Sequence, residues 1–154
     1  CRTFYYADTP ISGNMAEIAV FVDSKGGNTR KVADAIAGEL GVSVGDLKNP
    51  LPADAKVLFL GSGTYGALPG KEMTKFVADN DFTGRRVALF GTSMKPGGAE
   101  KMIAVMEDAV TKKGATVPGR YHCPGKFLLF NRDRPGKEDL ENAKKFAREM
   151  LRVK

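Results

Sequence analysis

Apolar positions along the chain fall into short continuous runs that alternate with stripes at helical spacing. A run rich in β-branched and aromatic residues, which starts at Glu17 and continues through Phe21 and Val22, is typical of a buried strand. Beyond a polar segment, apolar residues recur on one helix face from Val32 to Leu40. The pattern therefore predicts a strand, a tight loop and a helix, in this order.

The same alternation continues to the end of the chain. It predicts four further strands, over residues 42–47, 56–60, 86–90 and 116–123. It also predicts helices after the third and fourth strands, and a last helix over residues 138–151. Two prolines between residues 48 and 55 leave little room for a helix there. Strands that alternate with helices predict an α/β protein with a parallel sheet and helices on both faces.

Three loops follow predicted strands and share one composition. We call them the first loop (residues 24–29), the second loop (residues 62–70) and the third loop (residues 92–98), and all three are rich in glycine and hydroxyl residues. In parallel sheets of this kind, ligands bind beyond the carboxyl ends of the strands. The sequence therefore predicts a ligand site where the three loops meet.

The first loop has the composition of an anion site. Backbone N–H groups and the positive end of the next helix dipole converge there, and Ser24, Asn28 and Thr29 add polar side chains. The loop is not a Walker A loop, because Asn28 follows the last glycine, and it lacks the G-x-G-x-x-G pattern. A loop rich in hydroxyl groups suits a terminal monophosphate. The alternative is an ordinary connection with a Ser or Asn helix cap.

The second loop carries Tyr65, on which a flat heteroaromatic ring could stack. Gly66 beside it allows a peptide to flip between two conformations at low cost. The alternative is a flexible surface loop that contains a tyrosine. Because no carboxylate falls in any of the three loops, general acid–base catalysis is not expected there. A bound cofactor that carries its own chemistry fits these residues better.

The chain offers little other chemistry. His122 is the only histidine, which excludes a metal site built on several histidines. Cys123 follows His122 on a predicted strand, so the two side chains face opposite sides of the sheet. A buried structural cysteine is favoured over a nucleophile. With Cys1 it makes only two cysteines, which provide no disulfide framework. We therefore expect no catalytic residue and no metal, and a reducing, cytoplasmic setting.

Length and charge narrow the class of protein further. The 154 residues fit one domain, and 24 basic against 18 acidic residues give a net charge of +6. The basic residues are scattered beside acids on predicted helix faces, so they form no platform for nucleic acid. No apolar stretch could span a bilayer, and no segment has the order of a signal peptide. We expect a monomer that binds neither nucleic acid nor membrane.

The first fourteen residues differ from the rest of the chain. They precede Met15, a natural start for one domain over residues 15–154. We interpret residues 1–14 as an N-terminal extension or an expression leader. The alternative is a short extra strand over residues 3–6 at an edge of the sheet.

Taken together, the loops resemble those of the flavodoxin family. The first loop is similar to the family's FMN phosphate loop, hydroxyl-x-Thr-Gly-Asn-Thr, with Gly26 in place of Thr. The segment from Thr64 to Gly66 resembles the first flavin loop of the family, and the segment from Phe90 to Thr92 resembles the start of the second. The resemblance extends over residues 15–154. It implies a three-layer, doubly wound fold whose five-stranded parallel sheet has the order 2-1-3-4-5. It also implies non-covalent FMN and one-electron transfer between redox proteins.

The resemblance also implies which residues bind FMN. The first loop would hold the phosphate, and the second and third loops would contact the two faces of the ring. The implied residues are Ser24, Lys25, Gly26, Gly27, Asn28, Thr29, Ser62, Gly63, Thr64, Tyr65, Gly66, Ala67, Thr92, Ser93, Met94 and Gly98. Among them, Lys25 either adds charge to the phosphate or faces solvent.

Three departures from the family pattern affect these expectations. The third loop has no aromatic residue, so either Met94 covers the outer face of the ring or nothing does. Ala67 stands where flavodoxins often carry an acid, which predicts a less negative second reduction potential. Electron-carrying flavodoxins are usually acidic around the flavin, so the net charge of +6 indicates an acidic partner or another role.

Two other functions stay open on the sequence alone. An uncovered ring face would suit an FMN oxidoreductase linked to NAD(P)H or a quinone. The missing aromatic residue and acid also allow a non-redox module that uses the same fold to bind a partner.

Overall fold

The computed structural model describes residues 17–125 and 134–152, which form strands and helices in alternation. The strands are β1 (Ile18–Asp23), β2 (Val57–Gly63), β3 (Arg86–Ser93) and β4 (Arg120–Pro124). The helices are α1 (Asn28–Leu40), α2 (Lys71–Asp79), α3 (Gly98–Lys112) and α4 (Lys137–Arg152). The strands pair in parallel in the order β1-β2-β3-β4. The expected α/β architecture with a parallel sheet is confirmed.

The sheet lies between two layers of helices, because alternate residues of each strand face opposite sides. On one side, Val20 and Phe59 pack with α1 and α4, and Phe146 of α4 meets the Phe59 ring edge-on with centroids 6.1 Å apart. On the other side, Phe21 packs with α2 and α3, and its ring lies 4.7 Å from the Phe76 ring. Every residue of β2 is buried, which makes this strand the centre of the core.

The strand expected over residues 42–47 is wrong, so the described residues form a sheet of four strands and not five. The order 2-1-3-4-5 is not confirmed. Val44 forms a single parallel bridge to Val20, whose carbonyl oxygen accepts the Gly45 N–H at 2.8 Å. Pairing ends at Gly45, since glycine weakens a strand by having no side chain to pack. A larger residue is not possible there, because its Cβ atom would clash with the Phe21 ring. The aspartate that follows accepts a backbone N–H two residues on, which starts a turn.

The last strand is shorter than expected, and the other predicted elements agree with the structure within a few residues. Thr116 forms one parallel bridge to Arg86, and regular pairing resumes at Arg120. Pro118 interrupts the strand because it has no N–H to donate. No helix lies within residues 48–55, as expected. The predicted extension over residues 1–14 and its alternative strand lie outside the described residues.

Candidate functional site

The three loops meet at one edge of the sheet. They follow β1, β2 and β3, whose carboxyl ends are in register, since Asp23 pairs with Ser62 and Gly63 pairs with Thr92. Between the loops lies an open cleft of about 320 Å³, which we call the three-loop cleft. All the residues that line it belong to the predicted set: Ser24, Gly26, Asn28, Thr29, Gly63, Thr64, Tyr65, Thr92, Ser93 and Met94.

Helix α1 begins at this cleft without a side-chain cap. Its N-cap residue, Gly27, has a φ of 87°, a left-handed conformation that favours glycine, and its first turn carries no acid. The Ser24 hydroxyl accepts the Gly27 N–H at 3.1 Å and closes the turn of the first loop. Asn28 and Thr29 start the helix and also line the cleft. The positive end of the helix dipole therefore opens on the cleft, where it would attract an anion.

Threonine hydroxyl groups connect the loops to one another. Thr29 and Thr92 share a buried hydrogen bond of 2.8 Å, which joins the start of α1 to the end of β3. Thr64 donates its hydroxyl proton to the Thr92 carbonyl oxygen, also at 2.8 Å, which joins the second loop to β3. These hydroxyl groups already have partners in the protein, so they hold the cleft in shape.

Tyr65 links the second loop to the first. Its hydroxyl accepts the Lys25 backbone N–H at 3.0 Å, and the Lys25 ammonium lies 4.9 Å from the centre of its ring. Burial raises the pKa of Tyr65, the hydrogen bond from Lys25 lowers it, and the nearby Asp23 carboxylate raises it further. The aromatic ring is therefore fixed against the first loop at the border of the cleft.

A tight turn projects from the second loop. Tyr65 and Leu68 exchange two backbone hydrogen bonds, of 2.9 and 3.2 Å, across Gly66 and Ala67. Both central residues have positive φ values, 62° and 64°. This combination is typical of a type I′ turn, in which alanine is strained because its Cβ crowds the backbone. The turn leaves the Leu68 side chain 54% exposed.

Ser62 lies beneath the second loop and does not line the cleft. Its side chain is fully buried, its oxygen accepts the Gly70 N–H at 2.9 Å, and it donates to the Gly63 carbonyl oxygen at 2.8 Å. The hydroxyl therefore joins the two ends of the second loop. Among the other predicted residues, Lys25, Gly27, Gly66, Ala67 and Gly98 belong to the loops or helix starts around the cleft but do not line it.

The third loop closes the other side of the cleft. The Ser93 hydroxyl donates to the Lys95 carbonyl oxygen at 2.8 Å and accepts the Lys95 N–H at 3.2 Å. Met94 lines the cleft and keeps 43% of its surface exposed. Gly98 is the first residue of α3. This loop is therefore held by its own hydrogen bonds, with Met94 as its large apolar contact to the cleft.

Sequence reasoning missed Asp23, the last residue of β1. It lies one position before the first loop, is 4% exposed, and its carboxylate accepts the Met73 N–H of α2 at 3.0 Å. The available signal was a charged residue at the end of an apolar strand, since carboxylates are rarely buried without a hydrogen-bond or charge partner. Its partner is fifty residues away, so the sequence could not identify the contact.

Other reactive groups lie away from the cleft. Cys123 is buried as expected, and burial raises the pKa of its thiol to about 12, which keeps the thiol protonated and inert. His122 is exposed on the opposite face of β4, with Nε2 3.8 Å from a Glu100 oxygen. Within residues 17–125 and 134–152, no cluster of acidic, histidine or cysteine side chains could hold a metal ion. None of the helices described is long and apolar enough to cross a membrane.

A second depression, of about 470 Å³, lies between α1 and α4. Charged residues of both signs line it, and Glu39 among them pairs with Arg148 at 2.7 Å. None of the three loops contributes to it. It therefore lacks the uncapped helix start that opens on the three-loop cleft.

The chain is similar to several known proteins. A family model described as a flavodoxin domain matches residues 19–132. A flavodoxin of Enterobacter agglomerans is 32% identical over 143 residues, covering 76% of this chain and 78% of its own length. An uncharacterized protein of Methanocaldococcus jannaschii is 28% identical over 136 residues, covering 81% of this chain and 91% of its own length.

Solved structures show the same fold. The crystal structure of a Fusobacterium nucleatum flavodoxin bound to flavin mononucleotide has a TM-score of 0.66 to this chain. The likeness covers 87% of this chain and 96% of the other, at 19% sequence identity. The fold of the described residues is therefore flavodoxin-like.

Proposed function

Because the chain belongs to the flavodoxin domain family, we propose that it binds FMN non-covalently in the three-loop cleft and carries electrons between redox proteins. The observation that carries this proposal is the lining of the cleft, which comes from the three loops alone. The FMN found in the Fusobacterium nucleatum neighbour supports the same cofactor here.

The residues present fit the two ends of FMN. At the phosphate end, the first loop offers backbone donors and an uncapped helix start, and a Cβ atom at Gly26 would meet no atom within 4 Å. At the ring end, Tyr65 of the second loop and Met94 of the third loop both line the cleft. Bound FMN would supply the redox chemistry, while the chain binds and orients it.

The lining favours an electron carrier over an enzyme with its own substrate. It contains hydroxyl, amide, glycine and thioether groups, and its only titratable side chain is Tyr65, whose pKa is raised mainly by burial. A general acid or base that works near neutral pH needs a pKa close to 7. No observation on the described residues favours the NAD(P)H- or quinone-linked oxidoreductase, or the non-redox module.

We also propose that the redox partner is acidic at its contact surface. Leu68 and Met94 are large apolar residues that stay exposed on the second and third loops. Lys25 and Lys95 are exposed on the first and third loops. Apolar contacts near positive charge suit a partner with an acidic surface around its own redox centre.

Titration of the apoprotein with FMN and with riboflavin tests the proposed cofactor site. We expect FMN to stay with the protein through gel filtration, with its fluorescence quenched. Riboflavin should bind at least about tenfold more weakly, because it lacks the phosphate that the first loop would bind. A colourless protein, or equal affinity for the two flavins, would contradict the proposal.

A further inference from the structure

Asp23 holds a buried carboxylate between the first and second loops. It is the last residue of β1 and precedes Ser24 directly, yet its side chain turns towards α2 and accepts the Met73 N–H at 3.0 Å. Of the ion pairs formed by the described residues, none includes this carboxylate. Asp23 is therefore a buried carboxylate that is held by a backbone N–H of α2.

This carboxylate caps the N-terminus of α2, although it belongs to β1 and not to the residue at the N-cap position of the helix. The N-cap position of α2 is Gly70, which has no side chain to accept the first N–H groups. The Asp23 carboxylate fills the space where a Cβ of Gly70 would lie. An acid at this end of a helix is also favoured by the helix dipole. The start of α2 is therefore fixed by a residue of β1.

The second loop ends where α2 begins, so the same contact fixes the loop. Its first residue, Ser62, accepts the Gly70 N–H at 2.9 Å and stands opposite Asp23 in the sheet register. Both ends of the loop thus meet at one buried polar cluster of Asp23, Ser62 and Gly70. Loosening this cluster would free the loop that carries Tyr65 to the cleft.

Asp23 also lies next to the cleft, because Ser24, the residue that follows it, lines the cleft. Tyr65 lines the cleft, and after burial, which is the main cause, the Asp23 carboxylate contributes to raising the pKa of its hydroxyl. Like charges repel, so a second negative charge close to this carboxylate is disfavoured. A cofactor that gains negative charge in the cleft on reduction would meet the same repulsion.

We propose that Asp23 is a positioning residue of the cofactor site that fixes the second loop through α2, and that its buried charge makes the bound flavin harder to reduce. The effect of this charge on the flavin rests on the proposed function. This effect on the reduction potential opposes the one expected from Ala67. The second loop lacks a carboxylate at Ala67, but Asp23 supplies one directly before the first loop.

Two substitutions separate the two roles. Asp23→Asn keeps an oxygen that accepts the Met73 N–H but removes the charge, whereas Asp23→Ala removes both. Asp81→Asn is the matched control, because Asp81 also accepts a backbone N–H, from Thr83 at 3.0 Å, but lies at the opposite end of the sheet before β3. All three variants lose one negative charge.

Amide hydrogen exchange of the apoprotein tests the positioning role. We expect exchange at Met73 to become roughly tenfold faster in Asp23→Ala, since the acceptor of its N–H is lost. Exchange at Gly70, whose N–H is accepted by Ser62, should also become faster, because the cluster around it loosens. Asp23→Asn and Asp81→Asn should keep the exchange rates of the parent protein at these two amides. Unchanged exchange in Asp23→Ala would overturn the positioning role, and this readout needs no flavin.

Redox titration of the FMN complex tests the role of the charge. At a fixed solution potential, we expect the ratio of reduced to oxidised flavin to rise roughly three- to tenfold in Asp23→Asn. Asp81→Asn should leave this ratio unchanged. Equal ratios in the parent protein and Asp23→Asn would overturn the electrostatic role. A parent protein that binds no FMN would overturn both the proposed function and the electrostatic role of Asp23. Hydrogen exchange would still decide the positioning role.

Discussion

The hydroxyl groups of Thr29 and Thr92 share a hydrogen bond of 2.8 Å in the buried wall of the three-loop cleft. One belongs to the first turn of α1 and the other to the end of β3, and both are at most 3% exposed. The two residues are 63 positions apart, so the bond sets the distance between the first and third loops. The shape of the cleft thus depends on a buried polar pair.

Replacing either threonine by valine tests how much this hydrogen bond contributes to the free energy of unfolding. We expect Thr29→Val or Thr92→Val to lower the free energy of unfolding by about 1–3 kcal/mol, because the remaining hydroxyl is buried without its partner. Urea denaturation measures this. The double variant should lose less than the sum of the single variants, since no unpaired hydroxyl remains. Additive losses would show that the two hydroxyl groups do not depend on each other.

The turn at Ala67 stores strain that glycine would release. We expect Ala67→Gly to stabilise the apoprotein by up to about 1 kcal/mol, because a φ of 64° costs alanine about 1–2 kcal/mol and glycine almost nothing. The greater freedom of glycine in the unfolded chain offsets part of this gain. Thermal denaturation of the apoprotein provides the measurement. Ala35→Gly, within α1, is the control and should destabilise the protein by about 1 kcal/mol.

Lys95 should affect electron transfer to acidic partners. Reversing its charge in Lys95→Glu should slow electron transfer to a small acidic iron–sulfur protein several-fold at low salt, because the attraction that steers the encounter is lost. The difference should shrink as the ionic strength rises. Stopped-flow mixing measures both effects.

Lys56→Glu is the matched control for this prediction. Lys56 is exposed and directly precedes β2, at the end of the sheet opposite the cleft, so the change in net charge is the same. Equal slowing by both substitutions would mean that only the net charge matters. A basic cytochrome as partner should respond to Lys95→Glu in the opposite direction.

Asp139 should make stability depend on pH at the start of α4. Its carboxylate accepts N–H groups from Arg134 at 2.5 and 2.6 Å and from Gly136 at 2.8 Å. The hydrogen bonds from Arg134, opposed by burial and helped by the Gly136 N–H, hold the pKa of Asp139 below its usual range. Because this pKa is lowered in the folded state, the stabilisation is present at neutral pH and is lost as the pH falls through the folded value.

Asp139→Asn should therefore cost about 1–3 kcal/mol of unfolding free energy at pH 7, since the charge-assisted bonds are weakened. The difference from the parent protein should narrow below about pH 4, where the carboxyl begins to take up a proton in the unfolded chain. Urea denaturation across this range is the measurement. The exposed neighbour Glu138 supplies the control, because Glu138→Gln should change stability by no more than about 0.5 kcal/mol. A constant cost of Asp139→Asn at every pH would contradict the assignment.

Hydrophobic periodicity predicted most of the fold because its buried runs and helix faces are unambiguous. It failed over residues 42–47, where an alternating pattern looks like a strand but Gly45 must pass close to the Phe21 ring. That contact joins two elements far enough apart in the sequence to leave no local signal. Pro118, in contrast, was visible in the sequence and does delay the start of β4.

The location of the candidate site could be predicted from the sequence, but the contacts within it could not. The position of loops after parallel strands brought the first, second and third loops together without any knowledge of side chains. The partners of Thr29 and Tyr65 could not be predicted, because each partner comes from another loop or strand. Asp23 was missed for the same reason.

The affinity of two Gly26 variants for FMN tests most directly whether the first loop holds a phosphate. Gly26 lines the cleft, its φ is not positive, and a Cβ there would meet no atom within 4 Å, so side chains fit without strain. We expect Gly26→Ala to bind FMN much as the parent protein does. Gly26→Asp should bind it at least about tenfold more weakly, because its charge repels the phosphate, while riboflavin binding should change little. Equal FMN affinity in the two variants would contradict a phosphate site in the first loop.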